Sequence, residues 1–145
     1  MRKPLEDVEA SQHVTAPAKA ESVPILTDFV STYAGEMMFD DKRIGEVKAA
    51  LEEALDNIIR FACPTGSEEI TITCSAHEMG AMLLDIVDTG VPFNMLVMST
   101  FPETTDFAPA EQVPSTRKMK KYIKNIEYRR DGEAKKNILA LVVWK

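Results

Sequence analysis

The chain has 145 residues, of which 45% are hydrophobic and 28% charged, and its formal net charge is −6. This composition is ordinary for one globular domain with a buried core. No apolar run approaches the roughly 18 residues that a membrane-spanning helix needs, and no apolar stretch follows the first positive charges as in a secretory signal. We therefore expect a cytoplasmic protein without a membrane segment. Cys63 and Cys74 do not form a zinc pattern with the two histidines, so we expect buried thiols.

The charge is unevenly distributed along the chain. Residues 1–114 carry 7 basic and 20 acidic side chains, whereas residues 115–145 carry 10 basic and 3 acidic ones. A basic C-terminal segment could attract phosphate groups or nucleic acid. The simpler interpretation is a solvated face of one helix and one hairpin. Because most of the surface is acidic and would repel a nucleic-acid backbone, we expect no nucleic-acid binding.

The first half of the chain predicts a short strand and two helices. Residues 1–20 are polar, and we expect a flexible start with a short edge strand around His13–Ala16. From Ser22 to about Met37, Ser22 is a suitable N-cap and Pro24 falls in the first turn of a helix. A second helix, roughly 42–62, follows the cap at Asp40, and its apolar residues recur with helical spacing along one face.

The second half predicts two hairpins separated by a long loop. Ile70–Ser75 alternates apolar and polar residues, Ala81–Val87 is apolar, and the short turn between them favours an antiparallel pair. From Thr89 to about Val113 no period appears, which is typical of a functional or mobile loop. We expect residues 94–113 to be the most mobile part of the chain, although their apolar side chains predict contact with the domain or with a partner.

The chain should end in a basic helix and a closing hairpin. Ser115 can cap a short helix, after which Asn125–Arg130 and Asn137–Trp144 flank a turn at Asp131–Gly132. The order of the elements predicts an α+β fold, a two-layer sandwich with helices on one face of a mixed, mostly antiparallel sheet.

Two residues of the second helix could carry chemistry. Glu53 and Asn57 are four residues apart and therefore share one helix face, at the border of the apolar stripe. An Asn carbonyl oxygen is a suitable ligand for magnesium, and a neighbouring carboxylate can accept a proton. The alternative is that both are solvated helix residues.

A second group of residues follows the predicted strand 81–87. Asp88 can accept a hydrogen bond from an exocyclic amine such as that of adenine, and Gly90 allows the backbone to approach a planar ring. The alternative is a simple turn at the end of a strand, because Asp-x-Gly is common in turns.

Together the two groups match a known pattern. Glu-Ala-Leu-Asp-Asn at 53–57 resembles the N box, and Asp-Thr-Gly-Val-Pro-Phe-Asn at 88–94 resembles the first glycine box, of GHKL-type (histidine-kinase-like) ATPase domains. The chain is most similar to the stand-alone anti-sigma-factor serine/threonine kinases, and the tail 126–143 resembles their closing hairpin. This resemblance implies a Bergerat-type sandwich spanning residues 21–145.

The resemblance also implies cofactors, roles and partners. ATP and Mg²⁺ would bind, with Glu53 as general base and Asn57 as the magnesium ligand. Asp88 would anchor adenine, Gly90 would be the pocket glycine, and Phe93 of the same box would join the nucleotide site. The implied partners are an anti-anti-sigma (STAS) protein, phosphorylated on a serine, and/or a sigma factor, which would place the chain in transcription regulation. A homodimer is left open.

The chain departs from the family pattern at the phosphate-binding lid. A Gly-x-Gly box is expected near Val113-Pro114-Ser115, and no glycine is there. Asn94 replaces the usual Asp and Phe61 a frequent His. A helix beginning at Ser115 could compensate, because its free N–H groups, with Thr116, would attract phosphate.

These departures leave two hypotheses open. In the first, the chain is an ATP-binding regulator that resembles an anti-sigma-factor serine/threonine kinase and phosphorylates or sequesters a protein partner. In the second, it is a non-catalytic binding module of the same fold that acts by partner switching alone. A histidine-kinase fragment is disfavoured, because neither His13 nor His77 lies on a long predicted helix.

Overall fold

The computed structural model of the chain describes residues 11–98 and 114–145. In this part, five strands and four α-helices follow one another. The strands are β1 (Gln12–Pro17), β2 (Glu69–Ala76), β3 (Met82–Asp88), β4 (Asn125–Asp131) and β5 (Lys136–Val143). The helices are α1 (Val23–Glu36), α2 (Asp41–Asn57), α3 (Met95–Met98) and α4 (Arg117–Tyr122).

The strands form one sheet in the order β1-β2-β3-β5-β4, and all four pairings are antiparallel. Buried positions alternate along the strands, as at Ile70, Ile72 and Cys74, so one face of the sheet packs against the helices. The predicted α+β two-layer sandwich is confirmed. No parallel pairing, which a mixed sheet would include, occurs among the described strands.

Local sequence explains why the two long helices begin where they do. Pro24 stands in the first turn of α1, where a missing N–H costs no hydrogen bond. The Asp40 side chain caps α2 by accepting the backbone N–H of Arg43 at 2.8 Å. The buried faces supply much of the core: Leu26, Val30, Tyr33 and Ala34 from α1, and Val47, Ala50, Leu51, Ala54 and Leu55 from α2.

A π-helical turn, Ile58–Ala62, extends α2. It is closed by the backbone N–H of Cys63, which donates to the carbonyl of Ile58 at 2.9 Å. Such turns are rare and are often found at functional sites. The sequence predicted a helix to residue 62, and the structure keeps the helical path but widens its last turn.

One prediction about the connecting segments is wrong, and others fall on residues that the structure does not describe. The C-terminal helix does not begin at Ser115; it begins at Arg117, with Thr116 at the N-cap and no side-chain cap. The predicted long loop contains α3 near its start, and residues 99–113, on which the expected mobility mainly falls, lie outside the described residues. The first ten residues of the predicted flexible start also lie outside them.

In the described ranges, none of the helices combines the length and the apolar character that crossing a bilayer requires.

Candidate functional site

Asp88 ends β3 and is buried, with 2% of its surface exposed. Its Oδ1 accepts the backbone N–H of Gly90 at 2.9 Å and the side-chain amide of Asn137 at 2.8 Å. The Cys63 thiol approaches the same oxygen at 3.9 Å. Burial raises the pKa of Asp88, and the hydrogen bonds from Asn137 and Gly90, with the charge of Arg130, oppose that shift.

The second oxygen of Asp88 is not used by these contacts. Among the described residues, every hydrogen bond to the Asp88 side chain ends on Oδ1. In the same part of the chain, no fully buried polar side-chain atom lacks a partner. Oδ2 is therefore the oxygen of Asp88 that is left to accept a hydrogen bond from a ligand amine.

Asn137 holds the loop after Asp88 in place. The register of β3 and β5 sets Asn137 directly opposite Asp88. Its side-chain amide also donates to the carbonyl of Val91 at 2.7 Å. Its Oδ1 accepts from the backbone N–H of Phe93 at 3.2 Å and from the Tyr128 hydroxyl at 2.5 Å. One buried side chain thus fixes the carboxylate and the backbone of the first glycine box.

The sequence interpretation did not identify Asn137, although one signal was there. Asn137 occupies the core-facing register of β5, which continues with Leu139, Leu141 and Val143. A lone amide among buried apolar residues must find partners for its polar atoms. That requirement could have identified it before the structure was known.

Gly90 is packed against the π-helical turn. A Cβ at this position would lie 2.1 Å from the carbonyl oxygen of Ala62 and 2.8 Å from Cys63 Sγ. The next residue, Val91, donates its backbone N–H to the same Ala62 carbonyl at 2.9 Å. Close backbone packing therefore requires glycine here. Its predicted role beside a nucleotide ring stays a prediction.

Phe93 is a half-buried residue of the same loop. Its ring stacks on that of Phe61, with centroids 5.4 Å apart and planes inclined by 20°. The Arg60 guanidinium carbon lies 4.9 Å from the centroid of Phe61. Phe61, which replaces a frequent His of the family, thus supports Phe93 by ring stacking.

Glu53 and Asn57 project from α2 toward α4. The Asn57 side-chain amide donates to the backbone carbonyl of Ser115 at 2.8 Å and approaches the Met95 sulfur at 3.6 Å. Both contacts use Nδ2, and Asn57 is 2% exposed. These bonds leave the Asn57 Oδ1 as the side-chain atom that can accept from, or coordinate, a ligand.

Both carboxylate oxygens of Glu53 are engaged by the segment around Ser115. Oε2 accepts the Ser115 hydroxyl at 2.8 Å, and Oε1 accepts the backbone N–H of Met119 at 2.9 Å. Met119 is the third residue of α4, so Glu53 satisfies an N–H group that has no partner within the helix. The sequence predicted that such groups would attract phosphate; here one of them is held by a carboxylate of the same chain.

The predicted site residues form two hydrogen-bonded groups. Asn137 bonds both Asp88 and the backbone of Phe93, and the Gly90 N–H bonds the same Asp88 oxygen. Glu53, Asn57 and Ser115 are joined directly by hydrogen bonds, and buried Thr116 follows at the N-cap of α4. Asn94, where the family usually has Asp, accepts the backbone N–H of Leu96 at 3.0 Å and so caps α3.

The oxygen atoms available at this site fit a magnesium ion that takes most of its ligands from a bound nucleotide and from water. In the described part of the chain, no three His, Cys, Asp or Glu side chains are grouped so that they could hold a metal ion. Magnesium keeps several waters and commonly takes one or two protein oxygens together with phosphate oxygens. Asn57 Oδ1 is suited to that single role, and the ion would add positive charge next to a triphosphate.

Comparisons with known proteins show the family to which the chain belongs. Residues 16–142 match the family model of the histidine kinase-like ATPase domain. The chain is 31% identical over 99 residues to the serine-protein kinase RsbW of Bacillus mycoides (strain KBAB4), a match that covers 68% of this chain and 61% of that protein. The chain therefore spans less than two thirds of that relative's length.

Solved structures share the fold at low sequence identity. The RsbU and RsbW domains of Rv1364c from Mycobacterium tuberculosis match with a TM-score of 0.61 and 12% identity, over 92% of this chain and 32% of that one. The SiaB–SiaC complex from Pseudomonas aeruginosa matches with a TM-score of 0.54 and 11% identity, over 99% and 95%. The predicted resemblance is confirmed by the family model, and the chain belongs to the histidine kinase-like ATPase domain family.

Proposed function

We propose that this chain is an ATP-binding regulator of the anti-sigma-factor kinase type, which phosphorylates or sequesters a protein partner. The observation that carries the proposal is a pair of unused side-chain oxygens, Asp88 Oδ2 and Asn57 Oδ1, at the two predicted nucleotide-binding positions. Both belong to buried side chains whose other polar atom is fixed by hydrogen bonds within the chain. Their orientation is therefore set before a ligand arrives, which reduces the cost of binding.

Adenine would be recognised at Asp88. The exocyclic amine donates to Oδ2, while Asn137 and Gly90 hold Oδ1. Although burial raises the pKa of Asp88, the two donors and the positive charge of Arg130 favour the ionised form that accepts best. Phe93, stacked on Phe61, would cover one side of the site.

The phosphate end would be organised by α2 and α4. Asn57 Oδ1 would ligate magnesium, which neutralises charge on the triphosphate, and Glu53 would take the proton of an attacking serine hydroxyl. The Ser115 hydroxyl bonds Glu53, and Thr116 follows Ser115 as the N-cap residue of α4. By family resemblance, the protein substrate would be a serine of an anti-anti-sigma (STAS) partner, with a sigma factor as the partner in sequestration.

A second candidate function, a non-catalytic binding module, is favoured by the contacts of Glu53. Both of its oxygens are bonded within the chain, to Ser115 and to Met119. Pro114 stands where the family resemblance predicts the Gly-x-Gly box, and it has no N–H to offer to phosphate. In this alternative the protein switches partners by occupancy alone.

Calorimetry with ATP and ADP, each with and without Mg²⁺, tests the proposal. We expect both nucleotides to bind and magnesium to strengthen the binding of ATP in the wild type. The Asn57→Ala variant should lose the effect of magnesium and still bind ADP. If neither nucleotide binds, the proposal is wrong. If both bind and no partner serine gains phosphate in a transfer assay, the non-catalytic module is the correct function.

A further inference from the structure

The Ser115 hydroxyl lies beside Glu53, the predicted general base. It donates to Glu53 Oε2 at 2.8 Å, which is the geometry of a nucleophile bonded to its general base. Ser115 is exposed, so a phosphoryl donor can reach it. Its carbonyl accepts from Asn57, whose other amide atom is the predicted magnesium ligand.

Three hydrogen bonds fix this arrangement. Asn57 holds the Ser115 backbone at 2.8 Å, and Glu53 holds both the Ser115 hydroxyl and, at 2.9 Å, the Met119 N–H. The contrast is Ser67, also exposed, whose hydroxyl is 2.8 Å from that of Thr65 within a turn. Among these two exposed serines, only Ser115 is paired with the predicted base.

We propose that Ser115 is a phosphorylation site modified in cis by the ATP bound to the same chain. The proposal rests on the proposed function, since it uses the same base and the same nucleotide. Glu53 takes the hydroxyl proton as Ser115 Oγ bonds to the γ-phosphorus of ATP. The bond between that phosphorus and the β–γ bridging oxygen breaks, and ADP leaves with the electron pair.

Phosphorylation of Ser115 would release α4 from α2. A phosphoserine has no hydroxyl proton to donate, and its charge of about −1.5 to −2 repels a carboxylate. Glu53 would therefore lose the Ser115 contact and be pushed from the Met119 N–H. Arg117 and Lys118, exposed in the first turn of α4, offer positive charge to the new phosphate. The modification would thus make Glu53 available to a second serine and release α4, the basic helix, from α2.

Intact-mass spectrometry after incubation with Mg-ATP tests the modification. Wild-type protein should gain one phosphate, located at Ser115 by fragmentation, at a rate per molecule that does not depend on protein concentration. Ser115→Ala should gain none, Ser115→Thr should retain the reaction, and the matched control Ser67→Ala should behave as the wild type. Phosphate at another residue, or none while ATP binds, would overturn the proposal.

Hydrogen exchange in the absence of nucleotide supplies an independent readout. In Ser115→Glu the amide of Met119 should exchange at least about 10-fold faster than in the wild type, because its acceptor is displaced. Unchanged exchange there would refute the release of α4.

The outcomes separate this proposal from the proposed function. If ATP binds and a partner serine is phosphorylated while Ser115 stays unmodified, only the cis reaction is refuted. If calorimetry detects no ATP binding, both fall together.

Discussion

Replacing Asp88 by Asn should weaken nucleotide binding without disturbing the fold. The Asn oxygen can keep the bonds that Oδ1 now accepts from Gly90 and Asn137. The Asn NH₂ group would then take the place of Oδ2. It would face the exocyclic amine of adenine, and two donors cannot bond each other. A hydrogen bond to a charged group contributes about 1.5–3 kcal/mol, so ADP affinity should fall about 10- to 150-fold.

Isothermal titration with ADP measures this loss, and Asp85→Asn is the matched control. Asp85 lies on the same strand, β3, but is exposed, so its substitution removes the same charge without touching the site. The control should bind ADP as the wild type does. If Asp88→Asn binds ADP as tightly as the wild type, Asp88 does not recognise adenine and the reasoning from its free oxygen is refuted.

Asn137→Ala should lower the unfolding free energy in urea by about 2–4 kcal/mol, because buried partners lose their hydrogen bonds; a loss under about 0.5 kcal/mol, typical of a surface change, would contradict this. Gly90→Ala should cost about 1–3 kcal/mol through overpacking, whereas Gly132→Ala, which meets no neighbour within 4 Å, should cost less in the same assay. Glu53→Ala should abolish phosphoryl transfer to a partner serine and spare ATP binding, and full transfer activity would remove Glu53 from the mechanism. Burial raises the pKa of Asp88 above its ordinary value of 3.8, so the folded chain binds this proton more tightly than the unfolded chain does. The stability that the bound proton contributes is fully present below the ordinary value and is lost as the pH rises through the raised pKa. Urea denaturation across this window should show the wild type losing stability relative to Asp88→Asn, and parallel curves would count against the shift.

The elements with a clear hydrophobic period were predictable from the sequence. The predicted helices and strands match α1, α2 and the two hairpins within a few residues, since each buries an alternating or helical stripe. Glu53, Asn57 and Asp88 were singled out by their spacing on a helix face and at a strand end, and the resemblance then assigned them roles that stay predictions. The structure places each of them beside partners that the resemblance did not name.

What the sequence did not predict depends on contacts between distant residues. Ser115 is a good N-cap by local rules, yet its hydroxyl bonds Glu53, 62 residues away, and α4 begins at Arg117. The role of Asn137 depends on the β3–β5 register, which places it opposite Asp88. The π-helical turn at Ile58–Ala62 accompanies the Val91–Ala62 hydrogen bond, another contact that no local pattern encodes.

Comparing ADP with GDP, both with Mg²⁺, on the unaltered protein tests the central claim most directly. Guanine has a carbonyl oxygen where adenine has its exocyclic amine, so it would set an acceptor against Asp88 Oδ2. Calorimetry should therefore find that ADP binds and that GDP binds at least about 10-fold more weakly. Equal affinity for the two nucleotides, or no binding of ADP, would contradict the assignment of this site.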